Sequence, residues 1–599
     1  MLFPVFFVAV FLSHLKLLRL PYYWDEAGYY IPAAYDFFRT GSLIPVSTLS
    51  NAHPPLPSIL LAAWWHLSSF VPSGTRTFMC LVTAFALLGV YQLARSLAPA
   101  AARDKVALAV TLLTSMYAVW FAQSTLAHAD MFAAAFSLWA LFLYFKSKAA
   151  NRPAPSSDRA WACVLFSLAA LSKETAIITP LMLAGYEAVL AARTRHTASS
   201  IQTSIQTSAR DHLQWLLALS LPILPLAAWY AYHKRRTGFF FGNPEYLRYN
   251  ATANFTARHV LVAFSHRLMH VFFHLNMFVP VLCTLAAMLL PPLAEAAARP
   301  AALGSSDPEA GDPDSSSDLD SSSDPDSSAN LSLRPRIPLQ QQAAIGLILL
   351  GNIVFFSIMG GALLTRYLLP LYPLVLLECV ATWRRRVRLW WLLVAFSAVA
   401  FIAGIFINPP YRFAPEDNLN YSDMILLQQQ AIHVIVSQWP QATVLTTWPA
   451  TDELSKPELG YVRQPIHIAS LENFSLPQLA KAADNPGDYD TALIFSTRFG
   501  PLGWHHWGGG PLSTSSPDID FESRLTPRQA AFLLHGTIAW QARRKGLWIA
   551  VLRFNRSVNA TVLPAAPDRA SDRTSTVPDR APHRVFDRNF TVASRLQIR

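Results

Sequence analysis

Apolar runs of about 20 residues, parted by short basic linkers, occupy most of the chain up to residue 408. A helix needs about 20 residues to cross a hydrocarbon core of about 30 Å. The charged fraction is 14% and the hydrophobic fraction 52%, whereas a soluble domain carries about 25% charged residues. The deficit sits in the runs themselves. It predicts a polytopic α-helical membrane protein with about eleven spans, near residues 2–20, 77–96, 106–122, 127–145, 160–173, 175–192, 213–232, 271–291, 341–362, 367–382 and 389–408. The spans near 160 and 175 are short enough to be tilted or partly re-entrant. The opening MLFPVFFVAVFLSHLKLLRL lacks a basic n-region and a small-residue cleavage site, so it reads as a retained first helix rather than a signal peptide.

Charge placement orients these spans. Arg95, Arg103 and Lys105 flank one linker, Lys146, Lys148 and Arg152 another, and Arg193, Arg195 and Arg210 a third. Arg334 and Arg336 follow, then Arg384, Arg385, Arg386 and Arg388. With the N-terminus inside, all of these clusters fall on the cytoplasmic side. Lys16 and Arg19, and the cluster His233–Arg236, fall outside. The net charge of +11 is thereby a matter of membrane orientation, and a nucleic-acid partner is excluded. The cysteines Cys80, Cys163, Cys283 and Cys379 all lie in apolar spans without a CxxC pair, which argues for buried small residues rather than disulfides or metal ligands.

The organisation read from this pattern has five parts. Residues 1–302 form a transmembrane block with an outer loop at 21–76. Residues 303–336 are an acidic, Ser- and Pro-rich cytoplasmic linker expected to be disordered. Residues 337–408 form a second transmembrane block, and 409–559 an outer α/β domain. Its helices are expected at 421–439 and 526–535, and its strands at 442–448, 489–496 and 546–554. Residues 560–599 are expected to be a disordered tail.

On this topology the unusual polar residues converge on one membrane face. Asp25 and Glu26 follow span one, and His53 lies later in the same loop. His128 and Asp130 stand at the outer end of span four, Lys173 and Glu174 at that of span five, and Arg366 and Tyr367 between spans nine and ten. Ionisable groups at membrane depth are costly and usually functional. The bland alternative is a set of unrelated interfacial residues, with Asp25 capping the helix that follows and Asp130 packing against Lys173. His266, His270 and His274 recur every four residues and share a helix face. A polar stripe is the better reading there than a zinc site. In WHHWGGG, Trp504 and Trp507 could stack on a sugar, although ordinary domain packing is the better reading.

The D-E pair, H-P-P-L, A-D-M, K-E and R-Y-L-L-P-L-Y-P elements, in this order over residues 20–380, resemble the large membrane glycosyltransferases of the C-type fold. The likeness is to the branch that contains protein O-mannosyltransferases and the lipid A aminoarabinose transferase. It implies a donor sugar on a polyprenyl phosphate and an acceptor that could be protein, lipid or polysaccharide. It makes Asp25 the candidate general base and Asp130 a second catalytic carboxylate. Glu26, about 100° from Asp25 on a helix, would orient the loop or bind acceptor. Lys173, Arg366 and the cluster Lys234, Arg235 and Arg236 would face the leaving phosphate, with phospholipid headgroups as the alternative partner of that cluster. Glu174, Tyr367 and His53 complete the expected substrate-binding set. His53 stands where relatives carry a stronger base, and binds phosphate more weakly when neutral. No cofactor is assigned with certainty, and Asp130 could share a divalent cation. A transporter or lipid flippase would place polar groups at the midplane and often show two similar halves; a membrane-anchored sensor would leave the one-sided set without a role. The low cysteine count suggests a bacterial inner membrane with a periplasmic site and outer domain.

Overall fold

The computed structural model describes residues 2–48, 50–149, 155–196, 202–242, 256–296, 331–359, 364–496 and 526–554. The expected acidic linker, the 560–599 tail and the WHHWGGG segment lie outside the described residues, apart from 331–336 at the end of the linker. Among the described residues, five helices are long and apolar enough to span a membrane: Pro72–Leu97, Ala129–Lys148, Glu174–Thr194, Ala209–Thr237 and Leu339–Met359. Shorter apolar helices are Leu2–Ser13, Leu56–Leu67 and Trp390–Phe406. Large apolar side chains such as Leu217, Leu224, Phe396 and Val399 stand exposed on the outside of the bundle. This surface suits lipid rather than water.

Several expected spans are broken. The run near 271–291 is a pair of helices, Ala257–Asn276 and Phe278–Met288, bent by 95°. The bend falls at Leu275 and Asn276, whose φ values of 45° and 69° are left-handed. The run near 106–122 divides at Tyr117, which is extended, into Arg103–Met116 and Ala118–Gln123. Around 213–232 the span Ala209–Thr237 is continuous, with a turn at Pro222 between Gln202–Ser220 and Ile223–Thr237, where proline cannot donate to the helix ladder.

Helix Ala129–Lys148 is central: 72% of its apolar window is buried by protein, against 33% for Ala209–Thr237. It packs between Pro72–Leu97 and Ser156–Ser172. Its Ala-rich face allows close approach, and the Trp139 indole lies against Gly89 of helix Pro72–Leu97. The central helix therefore carries any polar residue at its tip into the middle of the bundle.

The last part of the described chain is α/β. Strands β1 (Ala294–Ala296) and β2 (Leu331–Leu333) form a small antiparallel pair in the membrane block. The outer domain holds β3 (Val444–Thr447), β4 (Ile468–Leu471), β5 (Thr491–Phe495), β6 (Thr537–Arg544) and β7 (Leu547–Arg553) in the order β4-β3-β5-β7-β6. β3 runs parallel to β4 and β5, whereas β7 is antiparallel to β5 and β6. The fully buried runs VLTT and TALIF suit central strands. Helix Asn420–Gln438 packs on β6 and β7. β4 and β6 are additions to the strands expected from the sequence. β4 is short and half-buried, and β6 alternates exposed and half-buried along an edge.

This domain sits on the outer loop. Trp448 packs against Trp24 and Tyr29, and its indole fills the space that a Cβ on Gly28 would need. The amide of Tyr22 donates to the Leu459 carbonyl at 3.2 Å.

Candidate active site

Asp25 precedes a single π-helical turn, Glu26–Tyr30. It occupies the N-cap position, yet its side chain makes no capping bond, so the capping alternative fails. Trp24 just before it has a left-handed φ of 49°, a conformation that costs a bulky residue energy and is held by its surroundings. The two acids then part. Asp25 turns to Arg366. Glu26 is fully buried and accepts from the backbone amides of Tyr23 at 3.0 Å and Ala127 at 2.7 Å, and from Arg76 at 3.2 Å. Arg76, likewise buried, also donates to the carbonyls of Leu20, Pro21 and Thr125. Of the two expectations for Glu26, orienting the loop or binding acceptor, the geometry favours the first: it is fully buried and its oxygens are occupied by the amides of Tyr23 and Ala127 and by Arg76.

Arg366 gathers the site. It lies in the short 3₁₀ turn Thr365–Leu368 and pairs with Asp25, with Glu416 and, through Nε at 3.2 Å, with Asp130. These residues come from four separate parts of the chain. Asp130 also holds Lys173, whose ammonium rests 3.7 Å over the Tyr367 ring. The packing of Asp130 on Lys173 is thus present, within the larger cluster. Among the three carboxylates, Asp25 is 19% exposed at its side chain, against 2% for Asp130 and 5% for Glu416. Only Asp25 has appreciable access from outside.

Glu416 follows the last membrane helix. Burial pushes its carboxyl up to about 8, over the opposing pull of the Arg366 guanidinium. Its neighbour Asp417 binds Thr365 and accepts from His274 Nε2 at 3.1 Å. His274 is held by the Tyr411 hydroxyl at 3.1 Å. His266, His270 and His274 do form a stripe, their successive ring centroids 6.4 and 5.5 Å apart. Among the described residues no group of three or more His, Cys, Asp or Glu has metal-binding geometry.

The remaining candidates are placed as follows. His53 Nδ1 meets Glu174 at 2.9 Å, and the His53 ring stacks on Tyr30. His128 bonds Gln123 at 2.7 Å, and Gln123 donates to the Glu416 carbonyl at 3.0 Å. Lys234, Arg235 and Arg236 are exposed at the end of helix Ile223–Thr237 and are not part of the Arg366 cluster. There they complement the helix C-terminus, and Lys234 lies 4.0 Å over the Phe240 ring. The buried face of that helix turn carries His233, which bonds Ser50 of the outer loop at 2.8 Å.

Arg76, Arg267 and Glu416 were not anticipated. Arg267 is buried beside Tyr367 and Phe356 and donates to the Leu364 carbonyl at 2.8 Å. Both arginines are cations inside apolar helices, a signal that was available. Glu416 lies in an ordinary loop sequence, APEDN, that carries no such mark.

A bent helical bundle with a C-terminal α/β domain and a buried Arg–carboxylate cluster at one end defines a class: the fold is that of the C-type membrane glycosyltransferases. The crystal structure of ArnT from Cupriavidus metallidurans bound to undecaprenyl phosphate aligns at a TM-score of 0.51 and 13% identity, covering 91% of this chain and 97% of that one. Its apo form aligns at 0.50 with the same identity and coverage. Residues 52–209 match the family model described as dolichyl-phosphate-mannose-protein mannosyltransferase. No curated protein sequence matches the chain. The oligosaccharyltransferase of Archaeoglobus fulgidus aligns at 0.40 and 10% identity, over 82% of this chain and 69% of that one.

Proposed function

We propose that this protein transfers a sugar from a polyprenyl-phosphate carrier to an acceptor at the membrane face that holds Arg366. The observation that carries this reading is the Arg366 cluster, in which Asp25 is the one carboxylate open to an incoming group. Asp25 takes the acceptor proton while the acceptor oxygen bonds to the anomeric carbon. The bond from that carbon to the phosphate oxygen breaks, and its electron pair stays with the phosphate. Negative charge therefore grows on the leaving group, where fixed cations are most effective. Arg267 and Lys173, both buried against the Tyr367 ring, are suited to this. Arg366 and Asp130 keep Asp25 and Lys173 in place. The ArnT neighbour was captured with undecaprenyl phosphate, which supports a carrier of this kind. The basic linkers support a site on the non-cytoplasmic face, and the low cysteine count supports a bacterial inner membrane. The acceptor is a protein, lipid or polysaccharide hydroxyl or similar nucleophile.

The test is transfer in proteoliposomes with a panel of radiolabelled polyprenyl-phosphate sugars, comparing the native chain with Asp25→Asn. Release of label from one carrier by the native chain alone supports the reading and identifies the donor. Failure of the folded native protein to bind any carrier would overturn it.

A further inference from the structure

A cavity of about 520 Å³ opens at the other end of the same helices. It is lined by Tyr144 and Lys148 of the central helix, Glu187, His212, the loop 98–103 and the start of helix Leu339–Met359. Asp130 and Lys148 are 18 residues apart on one continuous helix. That separation is about 27 Å at 1.5 Å per residue, close to the thickness of a hydrocarbon core. The cavity therefore belongs to the opposite membrane surface and has no part in the Arg366 site.

Its floor is a rigid polar frame. Glu187 is fully buried inside an apolar span and receives three donors: Tyr144 Oη at 2.5 Å, His212 Nδ1 at 2.6 Å and Lys148 Nζ at 3.0 Å. Lys148 also meets Asp211 at 3.3 Å, and Arg159 holds Asp211 at 2.8 Å. A buried carboxylate is costly unless saturated in this way, and here it keeps the cavity walls fixed.

The mouth is different. Arg103 and Arg336 line it and are exposed, and neither has an ion-pair partner among the described residues. Gln341 lines the cavity at 7% exposure, and its side chain makes no hydrogen bond among the described residues. It sits in the first turn of helix Leu339–Met359, the end of a helix that favours anions. Two exposed guanidiniums, the Gln341 amide and a helix start thus converge on a cavity of ligand size. The aromatic walls Tyr144, Phe145 and Tyr186 suit a group that reaches in from the membrane surface.

We infer that this cavity binds a phosphate ester bearing a small hydroxylated group, of the kind presented by an acidic phospholipid headgroup. Basic pockets between membrane helices bind such headgroups elsewhere. Arg103 and Arg336 hold the phosphate, and Gln341 bonds a headgroup hydroxyl or ester oxygen.

The experiment uses the full chain in detergent, with native mass spectrometry and thermal melting in phosphatidylglycerol, phosphatidylcholine or soluble glycerol 3-phosphate. Variants are Arg103→Gln with Arg336→Gln, whose exposed sites keep the fold intact, and Gln341→Leu. Phosphatidylglycerol is expected to bind and raise the melting temperature, with phosphatidylcholine far weaker. The double variant is expected to lose roughly thirtyfold in affinity, from about 1 kcal/mol per surface charge. Glycerol 3-phosphate binding as tightly would assign the site to a soluble ester; binding of the lipid alone assigns it to a headgroup. Equal binding of phosphatidylglycerol by the native chain and both variants would overturn the proposal. None of these readouts depends on sugar transfer, so the two readings fail independently.

Discussion

Removing the Arg366 side chain would leave Asp130 and Glu416 buried without their shared cation. Breaking a buried ion pair from one side costs about 3–5 kcal/mol. Arg366→Ala is therefore expected to lower the yield of folded protein and its melting temperature, as read by fluorescence-detected size exclusion. Asp25→Asn should behave differently. Asp25 is the more open member, and its replacement keeps shape and hydrogen-bonding capacity. Transfer should fall by about 10²–10⁴-fold, the usual contribution of a general base, with little change in melting. An equally large melting loss in Asp25→Asn would make this residue structural. Glu453 offers a separate test in the outer domain. It is fully buried beside Asp452, and burial first, then Asp452, holds its carboxyl well above the ordinary value of 4.5. The folded state therefore keeps a proton that the unfolded state releases above pH 4.5. Stability is lost as pH rises from that value toward the folded pKa. Glu453→Gln should melt higher than the native chain at pH 7.5, with the gap closing as pH falls to about 4.5. A pH-independent gap would rule this out.

At the level of elements, the outer loop is clamped from two sides. Arg76 fixes Glu26 from helix Pro72–Leu97, and Trp448 covers Gly28 from the outer domain. A methyl group at residue 28 would run into the Trp448 indole. Gly28→Ala is expected to cost about 1–3 kcal/mol as overpacking and to reduce transfer by displacing Asp25. Adding Trp448→Leu should recover part of the melting temperature in Gly28→Ala, because it restores the space. No recovery would mean that the two residues do not meet in solution. The bend in Ala257–Met288 falls directly after His274, whose Nε2 meets Asp417 at 3.1 Å.

For the whole molecule, the C-terminal domain and the bundle share one site. Glu416 and Asp417 stand on the connection between them, and Trp448 and Leu459 hold the loop that bears Asp25. A chain ending after Ile407 should therefore be inactive in donor turnover, even where it inserts in the membrane. Retained turnover would show that the bundle alone forms the site. Much of this was legible from residue order. Apolar run length announces a membrane helix, because lipid forces each span to satisfy its own backbone. Asp25, Asp130, Lys173 and Arg366 stood out as ionisable groups at the ends of such runs, and their common face followed from the basic linkers. Other features depend on distances that residue order does not contain. Glu26 and Asp25 are adjacent in the chain, yet a π turn sends one to Arg76 and the other to Arg366. Lys234–Arg236 carry the right charge but lie on the exposed side of their helix, away from the cluster. Glu416 sits 50 residues beyond Arg366 in a loop of unremarkable composition, and becomes part of the site because the chain returns over the end of the bundle. Hydrophobic patterning is a local property and specifies helices. Which charges meet is set by packing between distant segments, and that is decided only in the folded chain.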